Sequence, residues 1–145
     1  MAAKTQASPP TVPAGYKEYR NTDYGFSLYY PGGISPQEFH DSGYALTVTF
    51  QGWPGQRGFQ VYVAPINGTK VTPERFQLDE PSGVRQELHA TTVDGAPAVA
   101  FYGLDATVGK TSEVWFIHGG FLYEVTTYKE FDTWLAGIMQ TWKFI

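Results

Sequence analysis

The chain has 145 residues, a formal net charge of −4, no cysteine, and aromatic and charged fractions of 17% each. Its length suits one domain, the lack of cysteine excludes disulfides and thiolate metal sites, and the negative charge without a lysine or arginine cluster argues against nucleic acid as the default partner. No run of residues reaches the roughly 20 apolar positions that a membrane-spanning helix needs.

The segment before the first strand pattern differs from the rest of the chain in composition. Residues 1–15 are small, polar and rich in proline, which predicts a flexible tether followed by a single globular domain over residues 16–145. Such a tether often follows a cleaved export signal or a lipid-attached residue, and this predicts an extracytoplasmic protein, in the periplasm or on the cell surface. An ordinary frayed terminus on a cytoplasmic protein is the alternative.

The first two predicted elements are a strand and a helical turn. Residues 25–30 alternate between apolar and polar side chains and predict a strand, which Pro31 and the two glycines after it end. Ser35, Pro36 and Glu38 have the spacing of a capping box with proline at the first helical position. Apolar periodicity does not continue beyond them, so the pattern predicts only one or two turns of helix.

Three more strands are predicted from alternation. Residues 44–50 show the cleanest pattern, which directs Tyr44 and every second residue after it inward. A glycine-rich loop over residues 52–58 leads to a strand over residues 59–64, and the two strands together predict a hairpin. Residues 84–92 also predict a strand, with polar and charged side chains at every second position of one face. A turn over residues 93–97 then leads to a further predicted strand over residues 98–104.

Two helices are predicted beyond the first turn. Thr72 before a proline predicts the start of a short helix that ends near Asp79. Near the C-terminus, apolar residues at helical spacing predict a second helix with Asp132 as its N-cap. Gly137 within it costs up to ~1 kcal/mol against alanine, unless it permits close packing on the sheet. The apolar stripe consists of Trp134, Leu135, Ile138, Met139 and Trp142.

The strongest local pattern is a hairpin over residues 112–127. Two β-rich runs flank Gly119 and Gly120, and a two-residue type I′ turn needs positive φ at both central positions. This register places Phe116 opposite Tyr123 and makes one face almost wholly apolar. Aromatic residues on both faces predict that the hairpin is covered on both and lies centrally in the sheet. The second face carries Glu113, Trp115, Ile117, Leu122, Glu124 and Thr126.

Together these patterns predict the order strand, helical turn, two strands, short helix, four strands and helix. Because tight turns join successive strands, the sheet is expected to be mostly antiparallel. The predicted fold class is α+β: an α/β/α sandwich on a central, mostly antiparallel sheet of about 6–8 strands, with a C-terminal helix.

Four stretches form a recognisable set: residues 19–31, with Tyr-Gly-Phe-Ser before Tyr-Pro; residues 93–98; the glycine hairpin as far as Tyr123; and residues 138–144, with Thr-Trp-Lys-Phe. Together they resemble the PsbP-like family, the extrinsic photosystem II subunit and its bacterial, often exported relatives. The resemblance covers about residues 16–145 and implies an α/β/α sandwich on an antiparallel sheet. The chain departs from the family where Gly-Gly-Ile follows the first Tyr-Pro, since members often have tryptophan there. The motifs are structural and imply no catalytic residue.

Histidine and carboxylate pairs are the candidate metal ligands. His40 lies beside Asp41, and Glu87 and His89 are expected to point to the same face of one strand. Imidazole and carboxylate suit Zn²⁺ or Mn²⁺, which predicts a metal-dependent hydrolase of the phosphodiesterase or nuclease type as one possible function. Solvated side chains on a loop and on a strand face are the alternative, and no fixed ligand motif such as H-E-x-x-H is present.

Surplus aromatic residues favour a binding function instead. Trp53 and Arg57 belong to the glycine-rich loop, and Tyr128 follows the hairpin. Tyrosine and tryptophan combine apolar area with a polar group, which suits recognition of a partner; alternatively, Trp53 folds back as a lid on the sheet. The first hypothesis is therefore a non-enzymatic, exported or surface-tethered module, a monomer or weak oligomer without a required cofactor. It would dock on a protein partner through aromatic loops or a sheet edge.

Overall fold

Two antiparallel sheets and two short helices form the part of the chain that the structure describes. The structure is a computed structural model, and it describes residues 12–51 and 57–145. Helix α1 (Pro73–Asp79) precedes the sixth strand, and helix α2 (Asp132–Met139) follows a 3-10 turn over Lys129–Phe131. The strands in chain order are β1 (Tyr16–Asn21), β2 (Phe26–Pro31), β3 (Ser35–His40), β4 (Leu46–Gln51), β5 (Phe59–Pro65), β6 (Gln86–Val93), β7 (Ala96–Asp105), β8 (Gly109–His118), β9 (Phe121–Tyr128) and β10 (Lys143–Phe144).

The larger sheet has seven strands in the order β3-β4-β5-β9-β8-β7-β6, and the smaller has three in the order β1-β2-β10. Every neighbouring pair in both sheets is antiparallel. Strand β9 returns from its hairpin with β8 to pair with β5, so it lies at the middle of the seven. The prediction of a central, mostly antiparallel sheet is confirmed.

The central hairpin has the register that the sequence predicts. Phe116 lies opposite Tyr123, and the two turn glycines, Gly119 and Gly120, have φ values of 61° and 85°. Both φ values are in the left-handed region, where a side chain would strain the backbone. The turn therefore fixes which residues of β8 and β9 face each side of the sheet.

Each face of the large sheet is covered by a different layer. On one side Phe76 of α1 packs against Phe101 and Trp115, at ring-centroid distances of 5.9 and 5.6 Å. On the other side lie α2 and the small sheet, where Phe26 of β2 stacks on Trp142 at 4.5 Å. This is the predicted α/β/α sandwich, with the second outer layer shared by a helix and a small sheet.

The predicted helical turn at residues 35–38 is wrong, because these residues form the edge strand β3. Pro36 lies opposite Phe50 of β4, and proline is tolerated on an edge strand, where its missing N–H faces away from the sheet. Glu38 does not close a capping box. Its carboxylate instead accepts a hydrogen bond of 2.5 Å from the Tyr19 hydroxyl. Pairing with β4 thus overrides the local helix signal.

Two details of the other elements differ from prediction, and one of the two alternatives for Gly137 is excluded. Tyr44 has a φ of 64° and is 81% exposed, so inward alternation begins only at Leu46. Asp132 is the first residue of α2 and not its N-cap; its carboxylate accepts a hydrogen bond from the Tyr102 hydroxyl. No atom lies within 4 Å of the position that a side chain at Gly137 would take, so close packing does not explain this glycine.

Helix α1 begins where the sequence predicts it, whereas two strands of the small sheet are not predicted. Thr72 caps α1 by accepting a hydrogen bond from the Arg75 backbone N–H at 3.1 Å, as predicted. Strands β1 and β10 are not predicted, and both flank β2. Residues 1–11 of the predicted tether lie outside the described residues. No helix within the described ranges is long and apolar enough to cross a membrane.

Candidate functional site

The four predicted metal ligands lie at opposite edges of the large sheet. His40 and Asp41 lie at the end of β3, and Glu87 and His89 belong to β6. Six strand spacings separate β3 from β6, a distance of roughly 29 Å at about 4.8 Å for each spacing. The two pairs therefore do not converge on one ion.

The first pair is held by its own turn. Asp41 accepts hydrogen bonds from the backbone N–H groups of Gly43 and Ala45, at 2.8 and 3.0 Å, which stabilise the turn into β4. The His40 side chain is 60% exposed, and its Nε2 atom lies 3.9 Å from Glu38 Oε1. A metal ion at this pair would compete with the turn for the Asp41 carboxylate.

The second pair lies at a bulge. The register of β6 shifts between Gln86 and His89, and Glu87 has a φ of 53°. This interrupts the regular alternation from which a shared face was predicted for Glu87 and His89. The Nδ1 atom of His89 lies 2.9 Å from the Glu87 backbone carbonyl oxygen. Across residues 12–51 and 57–145, no three His, Asp or Glu side chains form a group suited to a metal ion. A zinc or manganese site stays a prediction.

A larger feature is a groove of about 1410 Å³ on the α1 side of the large sheet. Its floor is formed by β5, β8 and β9, with Tyr62, Glu113 and Glu124. The end of α1, the turn after it and the turn between β7 and β8 also line the groove. We call this feature the acidic groove, after its carboxyl-bearing residues, which are Asp79, Glu80, Asp105, Glu113, Glu124 and Glu130.

The register of the hairpin explains why glutamates lie on the groove floor. Glu113 is opposite Thr126 and Trp115 is opposite Glu124, so both glutamates face the α1 side. They are only 5% and 6% exposed. Burial of a carboxylate is costly unless hydrogen bonds or charges compensate for lost water. The contacts of each glutamate therefore decide its protonation state.

Glu113 is well supplied with hydrogen bonds. Its Oε1 atom accepts one from Trp115 Nε1 at 3.0 Å and one from the Thr126 hydroxyl at 2.7 Å. Burial raises the pKa of Glu113, and hydrogen bonds from Thr111, Trp115 and Thr126 partly oppose that effect. The indole and the two hydroxyls thus hold this carboxyl in one orientation on the floor.

Glu124 is more strongly perturbed. Burial, and after it the carboxylate of Asp79, raise the pKa of Glu124 to about 10, while Arg75 opposes the change. Arg75 is itself paired with Asp79, with 2.6 Å between Nε and Oδ2, and its Nη2 atom lies 3.5 Å from the Tyr62 hydroxyl. Glu124 is therefore protonated at neutral pH. The Asp79 carboxylate is the hydrogen-bond partner of this protonated carboxyl.

Glu80 forms the wall beside this pair. It is 6% exposed, and its Oε1 atom accepts a hydrogen bond from the Ser82 hydroxyl at 2.7 Å. Burial raises the pKa of Glu80 as well. A side chain at Gly103 would lie 2.6 Å from Glu80 Oε2 and 3.0 Å from the Thr111 hydroxyl. The glycine therefore makes room for the carboxylate against β7.

A row of partly exposed aromatic rings begins at one end of the acidic groove and extends beyond it to α2. Tyr128 and Phe131 line the groove and pack edge to face at 6.0 Å. Phe131 in turn contacts Trp134 of α2 at 6.4 Å, and the Arg57 guanidinium lies 5.5 Å from the Trp134 ring centroid. We call these four residues the aromatic strip. Two of the three predicted partner-binding residues, Arg57 and Tyr128, belong to it, and Trp53 lies outside the described residues.

Sequence reasoning named none of the groove carboxyls as functional. A signal was present, because Glu113 and Glu124 alternate with Trp115 and Leu122 in a hairpin that is expected to be covered on both faces. Charged residues on a covered face must be buried, and buried carboxyls have perturbed pKa values. Asp79 and Arg75 gave no such signal, since they form an ordinary i, i+4 pair on a short helix.

Comparisons with known proteins give a match in structure but not in sequence. No protein-family model matches the chain, and no curated protein matches it. The chain is similar to the solution structure of cyanobacterial PsbP (CyanoP) from Synechocystis sp. PCC 6803, with 16% identity and a TM-score of 0.62 over 99% of this chain and 100% of that one. It is also similar to a crystal structure of a Bacteroides thetaiotaomicron protein, with 14% identity and a TM-score of 0.55.

The two matches differ in extent. The Bacteroides match covers 90% of this chain but 49% of that protein, so the chain spans about half its length. The cyanobacterial match is complete in both directions. At these identities the likeness concerns the fold alone, and the chain has a PsbP-like fold.

Proposed function

We propose that the chain is a non-enzymatic binding module that docks on a protein partner through the aromatic strip. The observation that supports this proposal is a row of three partly exposed rings in contact with one another, with the Arg57 guanidinium over the last of them. Aromatic and arginine side chains supply most of the binding energy at protein interfaces. Tyr128 is 44% exposed, so a partner can reach it without any rearrangement of the sheet.

The strip is also ordered before a partner binds. Tyr128, Phe131 and Trp134 contact one another edge to face, and Arg57 lies over the last ring. Side chains that are already packed lose less conformational entropy on association than free ones. The strip is therefore better prepared for docking than an isolated exposed aromatic residue such as Tyr44, which lies at the turn before β4.

The open edges of the large sheet are the second docking element that the sequence suggests. Strand β6 is exposed from Gln86 to Thr92, but its bulge interrupts regular pairing. Strand β3 contains Pro36, which cannot donate to an added strand. Bulges and prolines are the features that protect sheet edges against pairing. The strip is thus the favoured surface.

In this proposal, the domain works outside the cytoplasm and residues 1–15 hold it near a membrane or cell surface. Such a tether would raise the local concentration of the strip near a surface-bound partner. Fractionation of cells that express the native gene tests this point, with a periplasmic or envelope location as the expected result. Recovery of the protein only from the cytoplasm would contradict it.

A binding experiment with matched variants tests the docking surface. Immobilised wild-type protein, Arg57→Ala and Tyr128→Ala are exposed to an envelope extract, and bound proteins are quantified by mass spectrometry. Tyr44→Ala is the control, because Tyr44 is 81% exposed and lies outside the strip. We expect a specific partner to be lost by about tenfold or more in the two strip variants and retained by the control. Equal capture by all four proteins would contradict the proposal.

A metal-dependent hydrolase receives no support from the geometry. Its four candidate ligands lie at two separate edges, and Asp41 already serves a turn. We therefore propose no second function.

A further inference from the structure

We propose that Asn67 is a site of spontaneous modification, at which the backbone nitrogen of Gly68 attacks the side-chain amide and water then yields aspartate and isoaspartate. The site lies in the loop between β5 and α1, within the sequence Asn-Gly-Thr. This goes beyond docking through the aromatic strip, because it concerns a covalent change at a different place in the fold. The argument rests on how differently the structure holds the two asparagines and the one Asp-Gly pair of the chain.

The reaction needs only water besides the protein. The Gly68 nitrogen loses its proton and forms a bond to Cγ of Asn67, which closes a succinimide ring, and the bond from Cγ to Nδ2 breaks so that ammonia leaves. Water then adds to one ring carbonyl, and that carbon separates from the glycine nitrogen. Attack at Cγ gives aspartate, whereas attack at the backbone carbonyl leaves the chain running through Cγ as isoaspartate. Each event replaces a neutral amide by a carboxyl that is ionised at neutral pH, and no electrons are transferred.

The loop leaves Asn67 and Gly68 free to take the geometry that ring closure requires. Both residues are exposed. Gly68 has a φ of 95°, and no atom lies within 4 Å of the position that a side chain there would take. No backbone hydrogen bond within the described ranges uses the Gly68 N–H. Because glycine has no Cβ, its nitrogen is poorly shielded and its φ and ψ can adjust to the ring.

The other asparagine of the chain, Asn21, is held in place. Its Oδ1 atom accepts a hydrogen bond of 3.0 Å from the Tyr24 N–H, and its Nδ2 atom donates one of 3.0 Å to the Tyr19 hydroxyl. Both bonds would have to break before the side chain could turn toward the next backbone nitrogen. That nitrogen belongs to Thr22, whose branched side chain crowds it. The fold and the neighbouring residue therefore protect Asn21.

The Asp-Gly pair of the chain is held as well. Asp94 and Gly95 form the turn between β6 and β7, with φ values of 45° and 82°. The Asp94 Oδ2 atom accepts a hydrogen bond of 3.0 Å from the Phe144 N–H, and its Oδ1 atom lies 3.7 Å from Lys143 Nζ. The C-terminal strand thus occupies both carboxylate oxygens, and an ionised carboxylate is itself a poor target for a nitrogen nucleophile. Spontaneous modification is therefore confined to the loop before α1.

Modification adds one negative charge at the end of the sheet opposite to the aromatic strip. The loop follows Pro65, which pairs with Phe121, whereas Tyr128 of the strip ends β9. Seven residue steps (128 minus 121) separate these two positions on β9, roughly 23 Å at about 3.3 Å for each step. An exposed loop also accommodates the extra backbone carbon of isoaspartate without displacement of a strand. The fold and the strip should therefore be the same in both forms of the protein, which differ in charge.

Incubation of the full chain at pH 6 and pH 8.5 in water enriched in heavy oxygen, followed by trypsin digestion in ordinary water and mass spectrometry, tests the proposal. Cleavage after lysine and arginine places Asn67 in the peptide over residues 58–70, Asn21 in 21–57 and Asp94 in 86–110. We expect the 58–70 peptide to give two separable products, aspartyl and isoaspartyl, each with one heavy oxygen atom. This label excludes conversion during digestion. Conversion should be faster at pH 8.5, because hydroxide removes the proton from the attacking nitrogen.

The two asparagines report whether the fold selects the site. In the folded protein, conversion at Asn67 should be about tenfold faster than at Asn21 or more, since two hydrogen bonds hold the second side chain. In guanidinium chloride these bonds are lost, so conversion at Asn21 should accelerate while that at Asn67 changes much less. Arg57→Ala alters the aromatic strip alone and should convert like wild type.

Asn67→Gln is the matched variant, because its longer side chain must close a larger ring and reacts much more slowly. Wild type should acquire a more acidic form on ion exchange, and Asn67→Gln should not. Thermal melts of Asn67→Gln and of Asn67→Asp, which carries the charge of the product, establish that both are folded. An unchanged 58–70 peptide, equal conversion of Asn21 and Asn67 in the folded protein, or an equal acidic form in Asn67→Gln would each overturn the proposal.

Discussion

The two faces of the β8–β9 hairpin arise from the same alternation of side chains along the strands but differ in chemistry. One face is apolar, and the other carries buried carboxyls. On the side of α2 and the small sheet, Phe116 stacks on Tyr123 at 5.1 Å, and both are almost completely buried. On the side of α1, Glu113 and Glu124 are buried to a similar extent. One face gains stability from burial of apolar area, and the other holds carboxyls in an environment that shifts their pKa values.

The difference shows that burial alone does not identify the core. Tyr123 is satisfied, because its hydroxyl donates a hydrogen bond of 2.6 Å to the Tyr24 carbonyl oxygen. Glu124, its neighbour in sequence, is a buried carboxyl whose pKa is raised by burial and by the Asp79 carboxylate beside it. Groups with strongly perturbed pKa values cluster at functional sites. The α1 face is therefore the better place to look for a ligand.

The largest expected effect of a single substitution comes from a cavity in the apolar face. Phe116→Ala removes a ring that contacts Tyr123 at 5.1 Å and Trp142 at 5.0 Å, and it leaves a cavity in the core. We expect the free energy of unfolding to fall by about 3–5 kcal/mol, measured by urea denaturation. A loss below about 1 kcal/mol would mean that this face is not the main source of stability.

The pH dependence of stability should come from Glu124, on the α1 side of the hairpin. The pKa of Glu124 is raised to about 10 in the folded protein, above its ordinary value in the unfolded chain. The folded state then binds the proton more tightly, so stability is full below the unfolded pKa and is lost as pH rises toward the folded pKa. We expect unfolding free energy to fall between pH 5 and pH 9, with a slope of up to about 1.4 kcal/mol per pH unit for this group.

A neutral amide at position 124 isolates that contribution. Glu124→Gln cannot ionise, so its stability should change less with pH, and it should exceed wild type at pH 9. Urea denaturation at pH 5, 7 and 9 measures the difference, and Glu18→Gln on exposed β1 serves as the control. Parallel pH profiles for wild type and Glu124→Gln would show that Glu124 is not protonated in the native state.

Sequence patterns predicted the apolar face much better than the acidic one. The glycine turn and strict alternation fix the register of Phe116 with Tyr123, because both signals are local. The environment of Glu124 depends on Asp79, which is 45 residues away in sequence (124 minus 79) and reaches it only through the packing of α1. No local pattern reports such a contact.

Local signals also failed where pairing between strands overrode them. Ser35 and Pro36 have the sequence of a helix start, yet they add a strand to β4. Strand β10 has two residues and is recognisable only through its partner, β2. In both cases hydrogen bonds to a neighbouring strand determine the conformation, and propensity is a weaker term.

A smaller loss of stability is expected from a methyl group added beside Glu80 in the acidic groove. Gly103→Ala would place a methyl group 2.6 Å from Glu80 Oε2, so the buried carboxylate would have to move. We expect a loss of about 1–3 kcal/mol in urea denaturation, the usual cost of overpacking. Gly103→Ala combined with Glu80→Ala should recover part of this loss. A single variant as stable as wild type would show that Glu80 has room to rearrange.

The smallest expected effect is a gain in stability on the exposed side of α2. Gly137 is exposed, and no atom lies within 4 Å of the position that an added Cβ would take. Alanine loses less backbone entropy than glycine when a helix forms, so Gly137→Ala should stabilise the protein by up to about 1 kcal/mol. Gly103→Ala is the matched comparison, because the same methyl group is added at a crowded position. A loss of stability in Gly137→Ala would mean that α2 is packed more tightly than its outer surface indicates, and that this helix, like the groove wall, needs glycine for space.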